Sequence, residues 1–434
     1  MSGTGVKSYK TKGASVSLKV NHLNSHFSIV LKTRASRSSL FVHLRNPYPA
    51  APHISNMPQV KPQSVDALSS MPDKFPAPQV NIGVVGLGRM GKRHCKTLIY
   101  RAPRAKLTAV CTPAPAELEW ARKFFGPESG VEVFDSYEKM LEQPGLQAVW
   151  VSTSTDLHAR ITTAAIHKKL HVLCEKPLSY DLEEARAVVA LAKQHPELKI
   201  MAGYSRRFDA SYRSAKAQID AGTIGRPFIV RSQTGDLRDD SGFFEAYAQK
   251  NGAIFVDCTI HDIDLSLWYL GEDVVPKRVF AVGTITHYEG LAKSNDIDNG
   301  IAVVEYWDGK MAYFYASRTQ THGHDVATEV IGDKGKLFVN VHPRADFTQV
   351  ATPDGIANEV QSEYWDRFEH AFATEANEFL ESVAEDKPVP VGLELGLKGM
   401  EIGWALQKAL WEGRSVSFDR QGRRVEEGGQ ATGV

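Results

Sequence analysis

A cation at the end of an apolar run, and a carboxylate four residues before an imidazole, are the parts of a proton-transfer site. The cation is Lys176, which closes the apolar part of HVLCEKPL, residues 171–178. A buried strand that ends in Glu175-Lys176-Pro177 carries a charge to the edge of a core, and proline makes the turn after it rigid, in either the trans or the cis form. A lysine there can orient a substrate hydroxyl and share its proton. The carboxylate and imidazole are Asp257 and His261 in GAIFVDCTIHDID. On one continuous helix they would share a face, and the carboxylate would orient the ring and raise its basicity. The plain structural alternatives are a surface lysine in a turn and an N-capping aspartate beside a surface histidine. No further histidine or cysteine stands nearby at ligand spacing, so no metal is expected.

The elements that must position these residues begin with NIGVVGLG, a short apolar strand, and RMGKRHCKTLIYRAP, the helix after it. Between them lies Gly86-Leu87-Gly88-Arg89-Met90-Gly91. In this strand-to-helix context the glycines permit a tight turn and close backbone approach, so a dinucleotide pyrophosphate can lie on the helix N-terminus. The second strand, KLTAVCT, ends at Thr112-Pro113 with no carboxylate, and Glu117, Glu119 and Arg122 come only further along the next helix. NAD and NADP both stay open as cofactors. A later strand ends in Ser152-Thr153-Ser154-Thr155-Asp156-Leu157-His158, where hydroxyls can meet a cofactor or cap the following helix.

Strands alternating with helices through KIMAGYS predict a doubly wound, Rossmann-type parallel sheet over residues 77–204. From 205 to 424 the pattern is β-rich, with WDGK as a hairpin turn and two long C-terminal helices. That stretch predicts an α+β domain with an open, mostly antiparallel sheet. An open sheet offers an apolar face that needs cover, so a homo-oligomer is expected. Residues 1–76 contain a single acidic residue before Asp73, namely Asp66, and read as a disordered leader or a transit peptide. Residues 425–434 read as a flexible tail.

Composition excludes several function classes. Lys+Arg and Asp+Glu both number 51 of 434 residues, which gives no electrostatic ground for nucleic-acid or membrane binding. No apolar run reaches the roughly 18–20 residues of a spanning helix. Four scattered cysteines fit a reducing compartment, so a cytoplasmic location is expected, or a mitochondrial one if the leader is a transit peptide.

GVVGLGRMGKRH, STSTDLH, HVLCEKPL, MAGYSRRFD, IFVDCTIHDIDL and TEVIGDKGKL, in this order from about Asn81 to Leu337, resemble the glucose–fructose oxidoreductase / inositol dehydrogenase / rhizopine-catabolism (Gfo/Idh/MocA) family. D-x-x-x-H-D-x-D is similar to its inositol 2-dehydrogenase branch. The resemblance implies hydride transfer between a secondary alcohol of a sugar or cyclitol and nicotinamide. It makes His261 the base, Asp257 its orienting group and Lys176 the holder of the hydroxyl. It also implies that Gly86, Gly88, Arg89, Met90, Gly91, Thr112, Thr153, Ser154, His158, Glu175, Lys176 and Arg206 bind cofactor. Asp236 and His324 would join Lys176, Asp257 and His261 in binding substrate. These two lie in Thr234-Gly235-Asp236-Leu237 and Gly323-His324-Asp325, where inositol-branch members often carry S-R-D-P and G-Y-D. The family also contains aldose and dihydrodiol dehydrogenases, NAD-dependent glycosidases and regulators that bind dinucleotide without turnover. Retention of Lys176, Asp257 and His261 together speaks against a regulator, which needs no base.

Overall fold

The computed structural model describes residues 79–425 except 243, 246 and 249–252, together with the backbone of four strands nearer the start. The chain divides into two compact units, Met1–Asp73 and Lys74–Val434. In the first, β1 (Val6–Thr11), β2 (Ala14–Val20), β3 (Phe27–Thr33) and β4 (Leu40–Leu44) pair in chain order as an antiparallel sheet. A disordered leader or a transit peptide was expected across this stretch. ASVSLKV alternates apolar and polar residues, a period-two signal, and FSIVLKT carries the apolar run Ile29 to Leu31. The remainder of residues 1–78 and positions 426–434 of the expected tail lie outside the described residues.

The second unit opens with six parallel strands: β5 (Val80–Val85), β6 (Ala105–Cys111), β7 (Glu132–Phe134), β8 (Ala148–Val151), β9 (His171–Glu175) and β10 (Ile200–Gly203). Their order is β10-β9-β8-β5-β6-β7. The order reverses between β5 and β8, and ligands of such sheets bind beyond the carboxyl ends of the strands at that switch point. Every residue of β8 and of β10 is buried, which explains why these strands read as unbroken apolar runs. The crossovers run through α1 (Arg89–Arg101), α2 (Pro115–Phe125), α3 (His158–His167) and α4 (Leu182–Lys193).

After α5 (Ala210–Asp220) the chain builds an eight-stranded sheet. Its strands are β11 (Pro227–Leu237), β12 (Pro276–Thr284), β13 (Asn299–Tyr306), β14 (Met311–Gln320), β15 (Asp325–Gly332), β16 (Lys336–Val339), β19 (Val416–Phe418) and β20 (Arg424–Val425). A separate ribbon, β17 (Val350–Thr352) and β18 (Gly355–Ala357), intervenes. All neighbours are antiparallel except β11 with β14. The sheet's buried face carries Val279, Ala281, Ala302, Val304, Ala312 and Phe314. It packs against α6 (Ile260–Leu270) and α8 (Leu393–Glu412), while α7 (Tyr364–Ala384) lies along α1. On the other face the alternate residues Phe280, Val282, Ile301 and Val303 are exposed.

Candidate active site

The carboxyl ends of β5, β6, β8 and β9 open into a cavity of about 780 Å³ that residues of β11 and β14 also line. At one end lies the glycine turn. Gly86 has φ +93°, and a Cβ there would lie 2.6 Å from the Ser152 carbonyl oxygen, so its conformation and its packing both require glycine. A Cβ at Gly91 would come within 1.8 Å of the Gly86 carbonyl oxygen. Gly91 is therefore buried beneath the turn and, of the residues expected to be catalytic or to bind cofactor or substrate, is the one that does not line the cavity. Gly88 differs: a Cβ there would have Glu117 Oε1 as its nearest described neighbour, 3.8 Å away. That space lies over the N-terminus of α1.

The helix start itself is prepared for an anion. Asp181 caps α4 and Asp209 caps α5 with side-chain hydrogen bonds, but at α1 the cap is Gly88, with no side-chain hydrogen bond and no acidic residue in the first turn. The first N–H groups of α1 keep their donors for a ligand, and the helix dipole favours negative charge there. The residues present fit a dinucleotide.

At the other end, Lys176 Nζ donates to the Asp257 carbonyl oxygen at 2.9 Å and to Asp257 Oδ1 at 3.2 Å. The Lys176–Pro177 peptide bond is cis. Arg318, on β14, donates from Nη2 to Asp257 Oδ2 at 2.7 Å, and Tyr247 donates to Oδ1 at 3.3 Å. Burial alone would raise the Asp257 carboxyl, but the charges of Lys176 and Arg318 outweigh it and hold the group below its ordinary range. The continuous helix considered for Asp257 and His261 is in fact two. Asp257 ends a short helical turn, Ile254–Asp257, and His261 belongs to the next helix, α6. Among the described residues no hydrogen bond joins the two. The break between the helices frees the Asp257 carbonyl for Lys176, which a continuous helix would have engaged.

His261 is half-buried in the cavity wall, and its Nδ1 has no partner among the described residues. Burial pushes the imidazole well below its ordinary range, and the charges of Lys176 and Arg206 push the same way. The gain in basicity expected from Asp257 is absent: burial first, and then the two cations, lower the imidazole instead. A neutral ring results.

The remaining sequence-named residues meet here. Arg206 donates from Nη1 to Asp262 Oδ1 at 3.0 Å and from Nη2 to Thr234 Oγ1 at 2.7 Å, which joins the end of the parallel-sheet domain to α6 and β11. Asp236 sits at a register shift in the β11–β14 pairing, between Gly235 and Leu237. Such bulges re-aim side chains, and Asp236 approaches Arg318 Nη1 at 3.8 Å and His324 Nε2 at 3.5 Å. His158 bridges two loops, with Nδ1 2.8 Å from the Pro177 carbonyl oxygen and Nε2 3.1 Å from that of Thr153. It ties the lysine's turn to the Ser152–Ser154 turn. Glu175 accepts from His94 Nε2 at 2.6 Å. Arg89, Met90, Thr112, Thr153 and Ser154 also line the cavity. Arg318 and Tyr247 were not expected from the sequence, and Glu117 showed there only as a residue further along the helix after the second strand. Arg318 sits in YASRTQ, where the alternation of β14 gives way to three consecutive buried residues, Ala316 to Arg318. That lapse was its only signal.

Comparison with known proteins agrees with this architecture. A profile described as "Oxidoreductase family, NAD-binding Rossmann fold" matches residues 80–204, and one for the GFO/IDH/MocA C-terminal domain matches residues 212–338. The chain is 32% identical over 342 residues to the scyllo-inositol 2-dehydrogenase (NAD(+)) of Bacillus subtilis, covering 79% of this chain and 97% of that protein. It is 31% identical to the myo-inositol 2-dehydrogenase of Thermotoga maritima, over 78% of this chain and 99% of that one. Among solved structures, scyllo-inositol dehydrogenase from Lactobacillus casei with bound NAD(H) and scyllo-inositol superposes with a TM-score of 0.73 at 34% identity, covering 78% of this chain and 99% of the other. This chain belongs to the GFO/IDH/MocA family of oxidoreductases, with an NAD-binding Rossmann domain.

Gly88 and Gly91 should separate by experiment. Gly91→Ala should destabilise the fold by roughly 3 kcal/mol or more, since a backbone contact must shift. Gly88→Ala should leave the melting temperature within a few degrees yet weaken NAD binding at least about tenfold, because its Cβ enters ligand space. Thermal denaturation and calorimetric titration read the two effects.

Proposed function

We propose that this chain is an NAD-dependent dehydrogenase that oxidises a secondary alcohol of a neutral cyclitol or sugar. The observation that carries the reading is the convergence of Lys176, Asp257 and His261 in one cavity with the glycine turn. Held by the Gly86–Gly91 turn and the α1 N-terminus, the nicotinamide cofactor would supply the hydride acceptor. Lys176, fixed by both the carbonyl and the carboxylate of Asp257, presents a proton donor to the substrate oxygen. Arg318 holds the far oxygen of that carboxylate and so fixes the lysine in turn. His261, neutral because burial and two cations disfavour its charged form, accepts the hydroxyl proton as the carbonyl forms.

Charge pairing argues for a neutral substrate. Three cations line this end of the cavity, and three carboxylates meet them: Asp257 lies between Lys176 and Arg318, Asp262 pairs with Arg206, and Asp236 stands 3.8 Å from Arg318. A sugar acid would find no surplus cation among them. Asp236 and His324 supply polar atoms suited to ring hydroxyls. The inositol dehydrogenases described above lend the cyclitol class its weight.

For partners, the exposed sheet face points to a second copy of this chain. Phe280 lies opposite Val303 and Val282 opposite Ile301, which sets four exposed apolar side chains side by side. Faces of this kind are covered in stable proteins, and two sheets pack well face to face. The cytoplasm suits the four cysteines, all free and buried. No helix of the described residues is long and apolar enough to cross a membrane.

Lys176→Ala and His261→Ala should each lower kcat about 10²-fold or more with myo- or scyllo-inositol, while NAD affinity stays within a few-fold; wild-type rates in either variant would remove the mechanism. The histidine's depressed pKa fixes a sign. The base is neutral above its pKa, so kcat/KM for alcohol oxidation should hold level from about pH 8 down to about pH 6.5 and fall only below that. An acid limb centred above about pH 7 would contradict a His261 base. Light scattering tests the interface: replacing Phe280 and Ile301 together with lysine should convert an oligomer to monomers, and a monomeric wild-type protein would refute it.

A further inference from the structure

Thr112, the residue just after β6, stands where NAD-binding sheets usually carry an acidic residue. The structure supplies a carboxylate there by another route. α2 starts immediately after the strand, with Ala114 as its cap and Pro115 in its first turn, and this brings Glu117 back over the strand end. Thr112 Oγ1 donates to Glu117 Oε2 at 2.5 Å. The same hydroxyl oxygen accepts from the Ala114 N–H at 3.2 Å, so its own orientation is fixed from both sides. Thr112 is 2% exposed and rigid in the wall. A carboxylate in the first turn of a helix is also favoured by the helix dipole.

One oxygen of Glu117 is thereby clamped and the other is aimed. Oε1 is the atom 3.8 Å from the point a Cβ would take on Gly88, the glycine that keeps the ligand's path open. Thr112, Pro113, Ala114 and Glu117 together line this end of the cavity. Glu117 is the one charged group of the four.

The geometry points to Glu117 as the residue that selects NAD over NADP, its carboxylate accepting from the vicinal hydroxyls of the adenine-side ribose. The assignment rests on the reading of the cavity as a dinucleotide site. A diol donates to a carboxylate, whereas a 2′-phosphate brings a second anion against the first and offers it no proton. Two bases stand nearby, each over an aromatic ring: Lys92 over Trp120 at 5.0 Å, and the Arg89 guanidinium over Tyr364 at 5.1 Å.

Binding of ADP-ribose and of 2′-phospho-ADP-ribose to the full chain, measured by calorimetry without substrate or turnover, tests the assignment. The wild-type protein should prefer ADP-ribose by about 100-fold or more, and Glu117→Gln should narrow that ratio at least about tenfold, chiefly by admitting the phosphorylated ligand. Thr112→Val keeps the charge but removes the clamp. It should weaken ADP-ribose several-fold while retaining discrimination, and the melting temperatures of both variants report that the fold is intact. An unchanged ratio in Glu117→Gln, or a wild-type protein that binds the two ligands equally, would overturn the assignment. Failure of the wild-type protein to bind either ligand would instead overturn the dinucleotide reading, and the assignment with it.

Discussion

A carboxylate taken out of water must be held by positive charge, and Asp257 is held by two cations from different parts of the second unit. Lys176 comes from the end of β9 in the parallel sheet, and Arg318 from β14 in the mixed sheet. Asp257 itself sits where one helical turn stops and α6 begins. Each member of the trio fixes the other two, so the two sheets, the helix break and the lysine's direction form one constraint. Removing one partner from a pair buried this deeply typically costs about 3–5 kcal/mol, because the remaining charge is left uncompensated. A similar clasp, Arg206 on Asp262, lies one turn further along α6 and joins the same domains.

This arrangement divides the labour of proton transfer. Burial and the nearby cations leave His261 a neutral ring, while Asp257 holds Lys176 as a donor with a fixed direction. Acid and base are thus set apart by surroundings rather than by residue type. The cofactor end follows a parallel logic. Two of its glycines serve the turn and the packing, while Gly88 and the uncapped start of α1 are given over to a ligand.

Much of this was legible in the sequence, because its strongest signals are local. Apolar runs of strand length, helical periods between them and a glycine turn in strand–helix context specify a doubly wound sheet, and the predicted site residues other than Gly91 line one cavity. What escaped reading depends on long-range contact or on a local break in periodicity. The Asp257–His261 spacing suggested one helix, but the chain breaks at Cys258 and Thr259, and no spacing rule reports where a freed carbonyl will point. Arg318 lies 61 residues from Asp257 and enters by way of a strand whose parallel pairing with β11 has no local mark. Glu117 was visible only as a helix residue, five positions beyond the strand end whose acid it supplies. The strands within residues 6–44 were hidden by a composition that suggested disorder.

The most direct test of the central claim is a crystal structure of the ternary complex with NAD and scyllo- or myo-inositol. The account predicts a ring hydroxyl within hydrogen-bond distance of both Lys176 Nζ and the His261 imidazole, with Asp257 still bridging Lys176 and Arg318. A substrate bound with its reacting hydroxyl away from both residues, or an Asp257 carboxylate turned from the cations onto His261, would contradict it.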